Sequence, residues 1–132
     1  MARLMSVAFT EQAVIERRKT VTRRKGWWVD KNGRRLLKPG DRLTLCRKVM
    51  GRKPGEPLVR LAEVEVVSVE RQPLHWLTSP YRAGWARQEL ALEGFPGMDP
   101  HAFVWHYFID AQRIEPEAHV TRIEWRYLED GE

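Results

Sequence analysis

A single cysteine, Cys46, stands in the whole chain, so no internal disulfide can staple it. One thiol also leaves out thiolate-rich zinc sets, and His75, His101, His106 and His119 fall at no metal-ligand spacing. No apolar run approaches the roughly 20 residues that cross a bilayer. Nor do the first residues run from cationic to apolar, as a secretory signal does. The expectation is a cytoplasmic protein in a reducing compartment, with no membrane, metal or cofactor. Glycine-rich phosphate loops are missing. Ser6, Ser68 and Ser79 sit in no nucleophile elbow, and the His-x-Glu with Cys-x-x-Cys pattern of zinc deaminases is absent. Each of these absences removes a class of enzyme.

What is present is core material and positive charge. Of the 132 residues 42% are apolar and six are Trp, enough for one domain spanning residues 1–132 to bury a core unaided. Lys and Arg number 23 against 18 Asp and Glu, and the resulting +5 suits a polyanionic partner.

Periodicity predicts the elements. Leu4 to Phe9 reads as a short buried strand, after which Thr10 offers an N-cap to a brief helix over residues 11–16. Gly26 to Gly33 ends in Asn-Gly and predicts a loop or small hairpin displaying Trp27 and Trp28. Past the Lys38-Pro39-Gly40-Asp41 turn, residues 42–49 alternate as a strand. A basic hairpin loop with Arg52 and Lys53 then leads into a valine-rich strand from Leu58 to Arg71. Residues 74–93 predict a turn followed by a helix, stopped by Gly94-Phe95-Pro96-Gly97. Asp99 and Pro100 open another helix carrying Phe103, Val104, Tyr107 and Phe108. Finally, His119 to Tyr127 alternates, with Thr121, Ile123, Trp125 and Tyr127 inward and Arg122, Glu124 and Arg126 outward. These elements predict an α+β fold, a small twisted sheet curled toward a barrel, with five to six strands and two or three short helices.

Arg17-Arg18-Lys19-Thr20-Val21-Thr22-Arg23-Arg24 sets cations and hydroxyls side by side where the first helical pattern ends. As a strand over 20–24 it would put Thr20, Thr22 and Arg24 on one face and Val21 and Arg23 on the other, while Lys19 must reach over from the preceding turn. Such a face holds an anion or polarises a carbonyl; a charged edge strand that blocks aggregation is the plainer reading.

The order of that segment, of Leu37-Lys38-Pro39-Gly40-Asp41-Arg42-Leu43, of Glu93-Gly94-Phe95 and of Thr121-Arg122-Ile123-Glu124-Trp125 resembles the ASCH domain over residues 7–127. The resemblance implies a PUA-like β-barrel with a cleft on one side, and a link to RNA binding, RNA cleavage or removal of an acyl group from modified cytidine. In small bacterial members that hydrolyse N4-acetylcytidine, a Lys-Thr-x-Thr-x-Arg run and a later glutamate form the working set, which here match Lys19, Thr22 and Glu93. The implied roles are a base for Lys19, a nucleophile for Thr22 and a group that orients the lysine or holds the leaving amine for Glu93. Where the family pattern has glycine this chain has Arg17, a substitution costing on the order of 1 kcal/mol if the position requires positive φ.

Three functions follow as expectations: a module that captures RNA, a nucleotide or a nucleoside; a hydrolase of N4-acylated cytidine; and a ribonuclease of single-stranded RNA. Arg18, Thr20, Arg23 and Arg24, with Trp27, Trp28, Arg52 and Lys53, are the candidate RNA or nucleotide contacts. The expected assembly is a monomer or weak dimer.

Overall fold

A computed structural model describes residues 2–130 and 132. Five strands, β1 (Arg3–Ser6), β2 (Val21–Arg24), β3 (Arg42–Cys46), β4 (Arg60–Pro73) and β5 (His119–Tyr127), make one sheet in the order β1-β3-β4-β5-β2. The β1–β3 pairing is parallel and the others antiparallel. Irregularities at Leu45/Cys46 and Val66/Ser68 break the register. Such bulges increase local twist, and the sheet here curls into a half-barrel. Its edges, β1 and β2, face one another without pairing. Arg24 spans the gap, donating from Nη2 to the Ser6 carbonyl at 2.7 Å.

Three helices accompany the sheet: α1 (Glu11–Ile15), α2 (Ala83–Glu93) and α3 (Pro100–Val104), the last running into a π-helical segment, Trp105–Asp110. Short 3-10 turns at Leu74–Thr78 and Pro80–Arg82 lead into α2. Asp99 caps α3 as its sequence predicts, accepting from the Ala102 amide at 3.1 Å. Among the described residues no helix is long and apolar enough to cross a membrane.

Two apolar clusters result. The concave face of the sheet buries Leu43, Leu45, Val64, Ile123 and Trp125, with α1 supplying Val14. Leu74, Leu90, Phe103, Phe108 and Val120 form the second, where α2 and α3 meet the far end of β5.

Three expectations are corrected. The first strand stops at Ser6, residues 8–10 turn as a 3-10 segment, and Phe9 is 82% exposed rather than buried. Thr10 occupies the N-cap of α1 but makes no side-chain capping bond; its hydroxyl turns back toward the Val7 carbonyl at 3.5 Å. Arg122 alternates outward from the barrel, yet it is buried, because α2 packs over that part of the sheet and meets it with Glu89. An outward side chain reaches solvent only where nothing covers the sheet.

Candidate functional site

Two turns at positive φ bring the site together. Arg17 takes a left-handed conformation, φ 60°, just past α1, and the Ala13 carbonyl then accepts from both the Arg18 and Lys19 amides, at 2.7 and 3.1 Å. Glu129 pairs with the Arg17 guanidinium at 3.0 Å, and the Tyr127 ring lies under it. The arginine thus adopts the conformation for which glycine is the default residue. The Lys19 carbonyl is fixed from β5, accepting from Trp125 Nε1 at 3.1 Å and from the Tyr127 hydroxyl. At the other turn, Gly94 ends α2 with φ 102°. A Cβ there would lie 3.0 Å from Thr10 Cγ2 and 3.1 Å from Ala13 Cβ, so glycine, free to take this φ, lets α2 close on α1 without crowding and sets Glu93 beside Lys19.

The resulting cavity, about 410 Å³, opens at the seam between β1 and β2. Its walls are aromatic: Phe9, Phe95 and Phe103, with His106, Tyr107 and Phe108 from the π-helical segment. The widened turn of that segment places Phe103 and Phe108, five residues apart, in edge contact at 5.6 Å on one wall. Its polar end gathers Lys19, Thr22, Arg24 and Glu93.

Lys19 is 3% exposed. Its ammonium donates to the Glu93 carbonyl at 2.6 Å and the Val21 carbonyl at 2.9 Å, lies 3.5 Å from the Glu93 carboxylate, and sits 5.9 Å from the centre of the Trp125 ring. Burial pushes its pKa down to about 8; the Glu93 carboxylate opposes that fall, and Arg24 and Arg23 add to it. The Thr22 hydroxyl accepts from Arg24 Nε at 3.1 Å, and its own proton goes to no acceptor among the described residues. Arg24 is partly buried, and desolvation lowers its pKa. Its hydrogen bonds go to neutral oxygens, those of Thr22 and Ser6, so its charge is not spent on a carboxylate. Lys19, Thr22 and Arg24 therefore offer an amine of reduced basicity, a hydroxyl with a free proton and a cation that hydrogen-bonds only neutral oxygens, its charge partly offset by the nearby Glu93 carboxylate.

Behind this end lies a buried charge cluster. Arg23 donates to Glu93 at 2.9 Å, to Gln72 at 3.1 Å and to Glu89. Arg122 holds Glu89 with bonds of 2.7 and 3.2 Å. Although burial works against the ionised carboxyl, Arg122 and Arg23 keep Glu89 below the ordinary carboxylate range.

Of the residues expected from sequence, Lys19, Thr22, Arg23, Arg24 and Glu93 share the cavity, although Arg23 is committed to its carboxylates. The others lie elsewhere. Arg18 turns outward to Glu16 at 2.7 Å. Thr20 is tied by its backbone to Leu92 and Trp125. Trp27, 66% exposed, lies across the Arg71 guanidinium at 4.1 Å, while Trp28 packs against the barrel core. Arg52 and Lys53 sit on the β3–β4 loop, where Arg52 donates to Val49 and the Lys53 amide to Glu56. Sequence reasoning missed Glu89, Gln72 and Arg122, along with Phe9, Tyr107 and His106. A signal existed for one of them: Glu89 stands four residues before Glu93, one turn along the same helix face.

No family model matches the sequence, and no curated protein is similar to it in sequence. Solved structures are similar in fold. A DUF984-family protein from Enterococcus faecalis superposes with a TM-score of 0.58 at 14% identity, over 97% of this chain and 80% of that one. The hypothetical protein PH0355 gives 0.54 at 18% identity, over 97% of this chain and 100% of its own. An ASCH domain from Lactobacillus crispatus gives 0.55 at 11% identity, over 95% and 79%. With its five-stranded half-barrel and three helices, this chain has an ASCH-like, PUA-like α+β fold.

Proposed function

We propose that the cavity binds a nucleoside whose exocyclic amine is acylated, of the N4-acetylcytidine type, and hydrolyses that amide. The observation that carries this reading is Lys19, a buried amine with its pKa brought down to about 8, sharing the polar end of an aromatic cavity with Thr22. Aromatic walls suit a flat base, and the volume falls in the usual range for small-ligand sites. Neutral Lys19 takes the Thr22 Oγ proton as the Thr22 oxygen bonds to the acyl carbon. The Arg24 guanidinium faces the oxyanion that develops on the carbonyl. The carbon–nitrogen bond then breaks, with Lys19 returning its proton to the departing amine. Water attacks the Thr22 ester, releases the carboxylic acid and restores the hydroxyl. Glu93 offers one carboxylate oxygen toward Lys19 and the other to Arg23 throughout.

RNA cleavage draws less support, since it needs several cations free to meet a phosphate, and with Lys19 and Arg23 already facing carboxylates Arg24 alone is left for it. The test is turnover of N4-acetylcytidine to cytidine and acetate at pH 9, where Lys19 is mostly neutral. Lys19→Ala and Thr22→Val should each lower kcat/KM by about 100-fold or more. No product from the wild type, or undiminished product from Lys19→Ala, removes the hydrolase. Tight binding of cytidine without turnover would instead leave a capture module.

A further inference from the structure

The charges behind the cavity alternate in sign from β5 to the pocket: Glu124, Arg122, Glu89, Arg23, Glu93, Lys19. Arg122 meets Glu124 at 3.0 Å and Glu89 at 2.7 Å, Arg23 bridges Glu89 and Glu93, and Glu93 faces Lys19 at 3.5 Å. The four members nearest the cavity are at most 4% exposed. A plain staple of the fold accounts poorly for this. Buried ion pairs are often no more stabilising than apolar side chains of the same volume, and a cluster of them invites replacement. This one ends in the cavity at Glu93 and Lys19.

Geometry gives the middle members a definite task. Arg23 donates to two carboxylates and an amide oxygen, with no backbone carbonyl among its described acceptors. It lies between two acids one helical turn apart on α2 and takes Oε2 of Glu93 at 2.9 Å, which leaves Oε1 toward the ammonium. Glu89 in turn fixes Arg23, because its own second oxygen is held by Arg122.

We propose that Arg23 and Glu89 are a positioning pair: Glu89 holds Arg23, Arg23 turns the Glu93 carboxylate toward Lys19, and together they set how readily Lys19 gives up its proton. The idea rests on the amide-hydrolysis reading only for what that tuning serves. The groups facing Lys19 are Glu93 from α2, Arg23 and Arg24 from β2, and the Trp125 ring from β5, with His106 also lining the cavity. Removing the negative charge of Glu89 makes these surroundings more positive and lets Arg23 draw harder on Glu93, so Lys19 loses its proton more easily. Removing the charge of Arg23 does the reverse on both counts.

The test follows the Lys19 side-chain resonance against pH in the full chain labelled with 13C,15N-lysine, without substrate, assigned by its loss in Lys19→Arg. Glu89→Gln should lower the titration midpoint and Arg23→Gln should raise it, each by about half a pH unit or more. A staple would cost stability in both variants without moving the midpoint in opposite directions. Equal midpoints, or two displacements of one sign, overturn the proposal. Should Arg23→Gln fail to fold, Glu89→Gln decides alone, and an unmoved midpoint there is refutation. The readout needs no turnover, so a wild type that leaves N4-acetylcytidine intact would sink the hydrolase and still leave this question answered.

Discussion

The barrel interior and the wall between α2 and β2 are both dry, and they are filled with opposite materials. Leu43, Leu45, Val64 and Ile123 are fully buried on the concave face, each worth about 1.5–3 kcal/mol of transfer from water. The wall buries Lys19, Arg23, Glu89 and Glu93 almost as completely, and each ion there forfeits several kcal/mol of hydration that its partners only partly return. Strand β2 borders both: Thr22 pairs with Ile123 on the concave side, while Val21 and Arg23, opposite Glu124 and Arg122, share the face that α2 covers. Apolar burial therefore holds the fold, and that surplus supports an arrangement of charges which aliphatic side chains would replace at little cost to stability.

The sharpest way to break this contrast is to empty the apolar side. Trp125 is 2% exposed, and Trp125→Ala removes its volume together with the Nε1 donor that fixes the Lys19 carbonyl. The loss should be about 3–5 kcal/mol by urea unfolding. A loss below about 1 kcal/mol would show that the concave face does not carry the fold.

The charged side gives a signature in pH. Lys19 has a lower pKa folded, about 8, than unfolded, near 10.5, so between those values the unfolded chain binds more protons and stability rises with pH. Below about 8 both states are protonated and the cost of the buried ammonium is present in full. Across the window the rise from this one group is about 3 kcal/mol, an order of magnitude set by its depressed pKa. It should appear as the difference between wild type and Lys19→Met in unfolding free energy measured at pH 7.5 and 10.5. Parallel stabilities would mean that Lys19 is not held as a buried cation. On the hydrolase reading, kcat/KM rises through the same pKa, because the base acts unprotonated.

Phe9 tests where the two regions meet the ligand. It lines the cavity mouth yet is largely exposed, and its ring touches Tyr107 edge-on at 5.7 Å. Phe9→Ala should change stability by less than about 0.5 kcal/mol, as surface substitutions do. It should raise KM for the acylated nucleoside about tenfold, the effect of losing one stacking face. An unchanged KM would move the base away from the aromatic mouth.

The apolar region was legible in sequence and the charged one only in part. Period-two alternation at Leu43, Leu45, Ile123 and Trp125 reports which side of a strand is dry, and the structure agrees. Alternation cannot report what covers the other side. Arg122 reads as a solvent residue until α2 lies over it, a tertiary fact absent from residues 119–127. Lys19, Thr22 and Glu93 were legible through their motif order, with Lys19 reaching in from the turn before β2 as strand parity requires. The π-helical turn that brings His106, Tyr107 and Phe108 to the cavity had no signal, since an apolar stripe at residues 103, 104, 107 and 108 fits an ordinary helix as well.

The turn at Arg17 separates frame from site. With φ 60° it carries a left-handed strain of about 1 kcal/mol that glycine would relieve. Arg17→Gly also loosens the unfolded chain by about 0.4–1 kcal/mol and gives up an exposed pair with Glu129 worth less than about 1 kcal/mol. These effects nearly cancel, and unfolding should show a change of less than about 1 kcal/mol. Lys19 is held by its carbonyl from β5 and by its ammonium from Glu93 and Val21, and the Arg17 side chain meets this set only at the Tyr127 ring. Its titration midpoint should therefore stay put in Arg17→Gly. A midpoint that moves would make the strained turn part of the charged wall rather than the scaffold that presents it.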